Sequence, residues 1–246
     1  MLRQSRFLLG SLSIVLLNLC VASARAQDAT PGWNTRWRNT DGSLRDVVEL
    51  GYGTNTAAGA SRTLQSFGWN YRIGAGYRMN RRLAVLIEYN FDRFRASQAL
   101  ASLPIAYPPE NYAIAYPSTI HLWSFTLEPT VQYFSTSRLG GYVIGGGGFY
   151  RKVMTGNFPG LLPGPNLSLV DSGPQGKINL FSNNAGGANF GAGFAWRVWD
   201  HSNTKLFVEG RYVWVDNSRN PLSAEYPQAV VATRTGYFPV TGGLRW

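Results

Sequence analysis

The chain has 246 residues, with 23 Lys or Arg against 13 Asp or Glu and a formal net charge of +10. Charged residues make up only 15% and aromatics 14%, with 28 glycines, a composition that excludes a coiled coil, a disordered chain and a Lys/Glu-rich helical protein. Mean hydropathy is −0.15, and beyond the leader no apolar run reaches the roughly 18 to 20 residues of a helical membrane span, which leaves an aromatic- and glycine-rich β protein.

The N-terminus comes first. Arg3 and Arg6 precede an apolar stretch from Phe7 to Ala22, and Ala24-Arg25-Ala26 has the small-x-small form that signal peptidases cut. This predicts a secretory signal peptide over residues 1–26, with Gln27 as the new N-terminus. A permanent anchor is disfavoured because Ser11, Ser13 and Asn18 break the run, and lipidation because Leu19 stands where a small residue would precede Cys20. Cys20 is the only cysteine, so its loss leaves no disulfide or thiol chemistry. The leader carries Arg3, Arg6 and Arg25 and no acid, so its removal takes the net charge from +10 to +7. That charge forms no polybasic run and no aromatic–basic interleaving, which argues against nucleic-acid binding.

After residues 27–43, stretches with period-2 alternation follow one another. Residues 44–53 set Val48, Leu50 and Tyr52 against Val47, Glu49 and Gly51. Residues 67–79 are clearest, with Phe67, Trp69, Tyr71, Ile73, Ala75, Tyr77 and Met79 on one face and Gly68, Asn70, Arg72, Gly74, Gly76 and Arg78 on the other. The next segment sets Leu83, Val85, Ile87, Tyr89 and Phe91 against Arg82, Ala84, Glu88, Asn90 and Asp92, and the connection at Asn80-Arg81-Arg82 makes a hairpin of the two. In 119–134, Trp123, Phe125, Leu127, Val131 and Tyr133 oppose Ser124, Thr126, Glu128, Thr130 and Gln132. Residues 138–150 are too glycine-rich for a face assignment. Residues 188–199 set Phe190, Phe194, Trp196 and Val198 against Asn189, Gly191, Gly193 and Arg197; 205–215 set Leu206, Val208, Tyr212 and Trp214 against Glu209 and Arg211. Residues 234–246 close the series with Phe238, Val240, Leu244 and Trp246 on one parity, giving eight strands. Long links (54–66, 95–118, 151–187, 216–233) alternate with short ones around 80, 136 and 202. All long links therefore leave from one end of the sheet.

In a soluble sheet the apolar face turns inward. Here the apolar face is crowded with Trp, Tyr and Phe while the other is ionic and glycine-rich, an inversion that a closed barrel in a bilayer resolves, because it satisfies every backbone group without water. The alternative is a soluble lipocalin-like barrel. The leader, the eight alternating segments, the short turns against long loops, the strand Phe207-Val208-Glu209-Gly210-Arg211-Tyr212 and the aromatic Trp246 together resemble the small eight-stranded outer-membrane β-barrels of the OmpA/OmpX type in Gram-negative bacteria. The resemblance covers residues 44–246. It implies an all-β, antiparallel transmembrane barrel with short turns, residues 27–43 and both termini in the periplasm, long loops outside, and no appended peptidoglycan-binding domain. It also implies contact with outer-membrane lipids and lipopolysaccharide, a monomer, and a C-terminal strand (Phe238, Val240, Leu244, Trp246) read by the outer-membrane assembly machinery. The family's Gly five residues before the terminal aromatic is replaced by Thr241, with Gly242 beside it. Pro129 and Pro239 each remove a ladder donor, so the register of strands four and eight is open there.

The candidate chemistry lies on the ionic face. Glu49, Arg72, Glu88, Asp92, Glu128, Arg197, Glu209 and Arg211 all point into an interior that eight strands make only wide enough for side chains. Arg197 with Glu209, and Arg72 with Glu88, are expected as opposite or diagonal neighbours across hairpins. Such a lumen reads either as a static ionic plug or as a gated ion path. His121 with Ser124 invites a hydrolase reading, but the two differ in parity and no third group is evident; His201, beside Asp200, reads as a solvated turn residue. Gly145 to Gly148 lack the Lys-Ser/Thr of a phosphate loop. No metal-ligand spacing is present, and no cofactor is expected. Arg78, Arg81, Arg82, Arg138, Lys205 and Arg245 map to the short-turn end, either as a girdle for anionic headgroups or as solvated turn residues. The expected role is structural or surface interaction through loops 95–118 and 151–187. A narrow channel is the alternative and a lipid A-modifying enzyme a third.

Overall fold

The structure is a computed structural model that describes residues 44–98, 105–107, 113–158, 161–163, 169–171, 176–199, 202–217 and 234–246. The proposed leader, residues 27–43, His201 and Asp200 lie outside the described residues. Asp46–Trp246 forms one compact unit, the barrel.

Eight long strands build it: β1 (Asp46–Ala58), β2 (Gln65–Arg78), β3 (Leu83–Ala96), β4 (Ala113–Ser135), β5 (Leu139–Phe158), β6 (Gly176–Arg197), β7 (Lys205–Val215) and β8 (Thr235–Arg245). Each pairs antiparallel with its neighbours, and β8 returns to β1 from Glu49↔Arg245 to Ala58↔Gly236, so the sheet closes. Following the register once around runs Val48↔Ala75↔Ile87↔Leu127↔Gly147↔Ala188↔Trp214↔Gly236↔Ala58. The path returns to β1 ten residues further on, the stagger that goes with strands tilted typically about 35–45° to the barrel axis. The register does not shift at Pro129 or Pro239: each pairs on one side, with Val85 and Asn55, while on the other side the ladder skips 128–129 and 238–239 and resumes in step; the shifts fall instead at Gln65/Gly68, Pro117/Thr119, Gln132/Phe134 and Met154/Thr155.

At one end the connections are tight. Asn80 Oδ1 accepts from the N–H groups of Arg82 and Leu83 at 2.8 and 2.9 Å, and Thr136 Oγ1 accepts from Leu139 N at 3.0 Å. At the other end the strands outrun the sequence expectation. The β1–β2 link shrinks to a 3-10 turn at Gly59–Thr63, with Gly59 at φ 55°, because the small residues 54–58 continue to pair with β8. Residues 151–158 and 176–187, expected as loop, are paired strand. β4, β5 and β6 reach 23, 20 and 22 residues, about twice the 9–11 that cross a bilayer, whereas β7 and β8 have 11 each. The surplus raises three adjoining strands above the long-loop rim, with a three-residue strand, Ile105–Tyr107, paired to Ala113–Ala115 on their flank.

The faces are inverted. Outward residues stay large, apolar and exposed, with Phe190 at 66%, Ile87 at 62% and Val208 at 59%, while inward Glu49 and Glu88 are at 0% and Glu209 at 1%. An exterior of this kind is stable only against hydrocarbon, so the fold is a transmembrane β-barrel.

Candidate functional site

The interior is layered along the barrel axis. Near the short turns, Val47, Ala84 and Leu86 form one apolar cluster and Tyr142, Ile144, Ala195 and Phe207 another. The residues of 138–150 thereby gain a face: Tyr142, Ile144 and Tyr150 point in. At the opposite end Leu64, Phe94, Ile120, Leu122, Tyr150, Val213, Val215 and Tyr237 pack together, with Phe94 edge-on to Tyr237 at 5.3 Å.

Between these caps lies an ionic layer of three guanidiniums and four carboxyls. Arg211 grips Glu88 with two parallel hydrogen bonds of 2.8 Å, Nη1 to Oε2 and Nη2 to Oε1, and donates through Nε to Glu209. Arg72 donates through Nη1 to the same Glu209 Oε1 and lies 3.5 Å from Glu88 and 4.0 Å from Glu49. Arg245 holds Glu49 Oε2 with Nη2 at 2.6 Å and Nε at 2.9 Å, and stands 3.8 Å from Glu209. Its guanidinium also lies over the Tyr142 ring at 4.3 Å, a cation–π contact on the apolar cap beneath. Glu128 is 3.6 Å from Arg211 and accepts from Asn189 Nδ2. Glycines clear the space: a Cβ at Gly74 would stand 2.7 Å from Glu49 Cγ, one at Gly146 2.5 Å from Glu128 Oε2, and one at Gly191 2.6 Å from Arg211 Cγ.

Of the eight inward ionisable residues read from the sequence, six lie in this layer, and Arg197 keeps the inward parity of β6 at the short-turn end, half-buried between exposed Trp196 and Val198. Asp92 belongs to a separate neutral-partner cluster, accepting from Asn55 Nδ2 at 3.1 Å and Tyr237 OH at 2.7 Å. Arg197 is a correction. It stands opposite Lys205, and the position opposite Glu209 is Gly193, because the β6–β7 connection spans residues 198–204 and sets the register two steps away from the one expected. Arg72 and Glu88 are diagonal neighbours, with Arg72 opposite Asn90 and Glu88 opposite Gly74.

Arg245 is the second correction. Grouped with the short-turn basic residues, it points inward and is 6% exposed; its position between outward Leu244 and Trp246 was the signal. Arg78, Arg81, Arg82 and Lys205 do line the short-turn mouth, around a cavity of about 40 Å³. Lys152 was missed as well: it is buried at the far cap and donates to Thr235 Oγ1 at 3.0 Å, on a strand extension read as loop. His121 is half-buried on the outer face and Ser124 buried on the inner one, so they form no dyad. Among the described residues no group of three His, Cys, Asp or Glu could hold a metal ion. What the layer does chemically is neutralise and fill the lumen with buried charge held in fixed geometry.

A closed eight-stranded antiparallel barrel with its apolar face outward and an ionic interior has the architecture of the small outer-membrane barrels of the OmpA/OmpX type. No protein-family model and no curated protein matches the chain. Among solved structures it is similar to Neisserial surface protein A (NspA), at 16% identity over 81% of this chain and 95% of that one, TM-score 0.47. It is also similar to Ail, the attachment invasion locus protein of Yersinia pestis, solved with the heparin analogue sucrose octasulfate (11% identity, 82% and 98% coverage, TM-score 0.41). A third is the outer membrane protein OprG from Pseudomonas aeruginosa (11% identity, 82% and 94% coverage, TM-score 0.40).

Proposed function

We propose that the protein is a monomeric outer-membrane barrel of a Gram-negative cell whose role is structural and surface interaction, with its short turns in the periplasm and its raised strands outside. The observation that carries this reading is the unequal strand length. The 11 residues of β7 and β8 suffice to cross a bilayer; β6 runs on past its pairing with β7 from Gly186 to Gly176 and β4 past its pairing with β3 from Ser118 to Ala113, so with β5 between them a paired sheet rises about 20 Å on one flank and about 35 Å on the other along the strands. Backbone pairing of that extent, from Arg151↔Asn184 to Phe158↔Gly176, presents a stiff platform instead of a mobile loop. The ionic layer, capped by apolar clusters at both ends, supports a plugged lumen over a conducting one. Its partners on this reading are outer-membrane lipids and lipopolysaccharide, the assembly machinery that inserts it, and an external ligand on the platform. It uses no cofactor and performs no catalysis.

The test has two arms. Refolded protein in a planar bilayer should show no unitary conductance steps, and reproducible steps would overturn the plugged-scaffold reading in favour of a narrow channel. Cells displaying the full chain should adhere to surfaces better than cells displaying a variant with residues 153–182 replaced by a short turn, while both barrels keep their heat-dependent gel mobility. Equal adhesion would remove the platform from the function.

A further inference from the structure

The outward face carries a charge asymmetry that the lumen does not account for. On three adjacent strands the outward residue that follows the last aromatic toward the long-loop end is basic or an imidazole: Phe91 is followed by Arg93 and Arg95 on β3, Trp123 by His121 on β4, and Phe149 by Arg151 on β5. The register joins them. Arg93 stands opposite His121, Arg95 opposite Thr119, and Arg151 opposite Trp123. Beneath them the rings form one connected band: Trp69–Phe91 at 5.6 Å and Tyr71–Phe91 at 5.2 Å, then Tyr71–Tyr89 at 6.1 Å, Tyr89–Phe125 at 5.1 Å, Trp123–Phe125 at 6.0 Å and Trp123–Phe149 at 5.5 Å, with His121 6.0 Å from Phe91. Aromatic belts of this kind sit at the headgroup level.

The rest of the circumference differs. The corresponding outward residues are Thr54 on β1, Ala188 on β6, Asp216 just past the end of β7 and Gly236 on β8. Arg234, at the same end on the opposite flank, pairs with Asp216 at 3.6 Å and lies over Trp214. No outward residue of β2–β5 in the described side chains is acidic.

We propose that the β3–β5 flank seats the phosphate-bearing headgroup of a phosphorylated glycolipid in the external leaflet, with Arg93, Arg95 and Arg151 on the phosphates and the Trp69–Phe91–Trp123–Phe149 band against the upper acyl chains. This rests on the outer-membrane reading and adds to it a sided lipid site. Charge complementarity commits the occupant: three guanidiniums on one flank, with no outward carboxylate there among the described residues, call for an anion at a height where the surrounding medium supplies lipid phosphate. Two strand spacings, about 10 Å, separate the β3 and β5 backbones, a span that long arginine side chains close onto one headgroup. Arginine suits the task because its planar fork engages phosphate oxygens bidentately.

The full chain is refolded into phosphatidylcholine vesicles doped with diphosphoryl lipid A, extracted gently, and its retained lipids are weighed by native mass spectrometry. Lipid A should be retained in preference to phosphatidylcholine. Each basic residue near an anionic lipid surface is worth about fivefold, so Arg93→Gln/Arg95→Gln/Arg151→Gln together should lower retention on the order of 100-fold, while Arg234→Gln leaves it unchanged. Inorganic phosphate at equal phosphate concentration should not displace the lipid; displacement would make free phosphate the ligand and overturn the lipid assignment. Heat-dependent mobility monitors insertion in every sample. A triple variant that inserts and retains lipid A as the parent does overturns this proposal alone, whereas a parent chain that never inserts overturns the outer-membrane reading with it.

Discussion

Glu209 is the carboxylate on which the ionic layer converges, and Glu209→Ala separates a structural charge network from a hydrated pore. Its Oε1 accepts from both Arg72 and Arg211, and its Oε2 lies 3.8 Å from Arg245. The three arginines lose unequally. Arg211 keeps its two 2.8 Å bonds to Glu88, and Arg245 keeps Glu49 at 2.6 Å. Arg72 keeps a neutral hydrogen bond from Nε to Asn90 Oδ1 at 2.9 Å but no carboxylate nearer than 3.5 and 4.0 Å, so the uncompensated charge falls on it. Removing one partner of a buried ion pair costs about 3–5 kcal/mol. The exposed Asp216–Arg234 pair supplies the reference, where Asp216→Ala should cost no more than about 1 kcal/mol. Urea unfolding in lipid vesicles, followed by tryptophan fluorescence and by gel mobility with and without heating, measures both. Arg72→Gln combined with Glu209→Gln should cost less than the two single changes added, by roughly 1–3 kcal/mol of coupling. If Glu209→Ala and Asp216→Ala cost the same, water reaches the layer freely and the plugged interior is refuted.

Other perturbations follow from the same geometry. Glu128→Gln should change stability by less than about 1 kcal/mol in the same unfolding assay, since its one arginine neighbour, 3.6 Å away, is already engaged by Glu88, and Gln keeps an acceptor for Asn189. Gly191→Ala should destabilise by about 1–3 kcal/mol through overpacking, because its Cβ would fall 2.4 Å from Gly210 O and 2.6 Å from Arg211 Cγ, whereas Gly210→Ala, with nothing within 4 Å, should be neutral. Trp246→Ser should lower the membrane-inserted fraction in cells, measured by fractionation, more than it lowers refolding in vitro. Trp246 lies on the β1–β8 seam, with its N–H 2.9 Å from Val48 O, so equal losses in both assays would assign it a packing role only.

The alternation of Trp, Tyr and Phe with small and ionic residues was enough to place Arg72, Glu88, Glu128, Glu209 and Arg211 on one inner face, because a strand inverts side-chain direction at every residue. The Gly-rich run 138–150 carried no such signal: glycine has no side chain to alternate, and only the pairing to β4 and β6 turns Tyr142, Ile144 and Tyr150 inward. Strand ends were hidden for a different reason. Residues 151–158 and 176–187 pair beyond the apolar band, where neither face requires an apolar residue and polarity looks like loop. Arg245 was legible by parity but was read from its neighbourhood to the short turns. The misplaced Arg197 shows that register across a hairpin depends on turn length, which composition leaves open by two residues.

The central claim is that the aromatic face meets lipid and the ionic face is enclosed, and residues 123–128 of β4 test it most directly. With Cys20, the only cysteine, replaced by Ser, single cysteines are placed at each of the six positions in turn and labelled with an environment-sensitive fluorophore in vesicles containing brominated lipid. Strong quenching is predicted at Trp123, Phe125 and Leu127, and none at Ser124, Thr126 and Glu128, where burial also slows labelling. Quenching with the opposite parity, or water-soluble maleimide reacting fastest at Phe125 and Leu127, would contradict the inverted barrel.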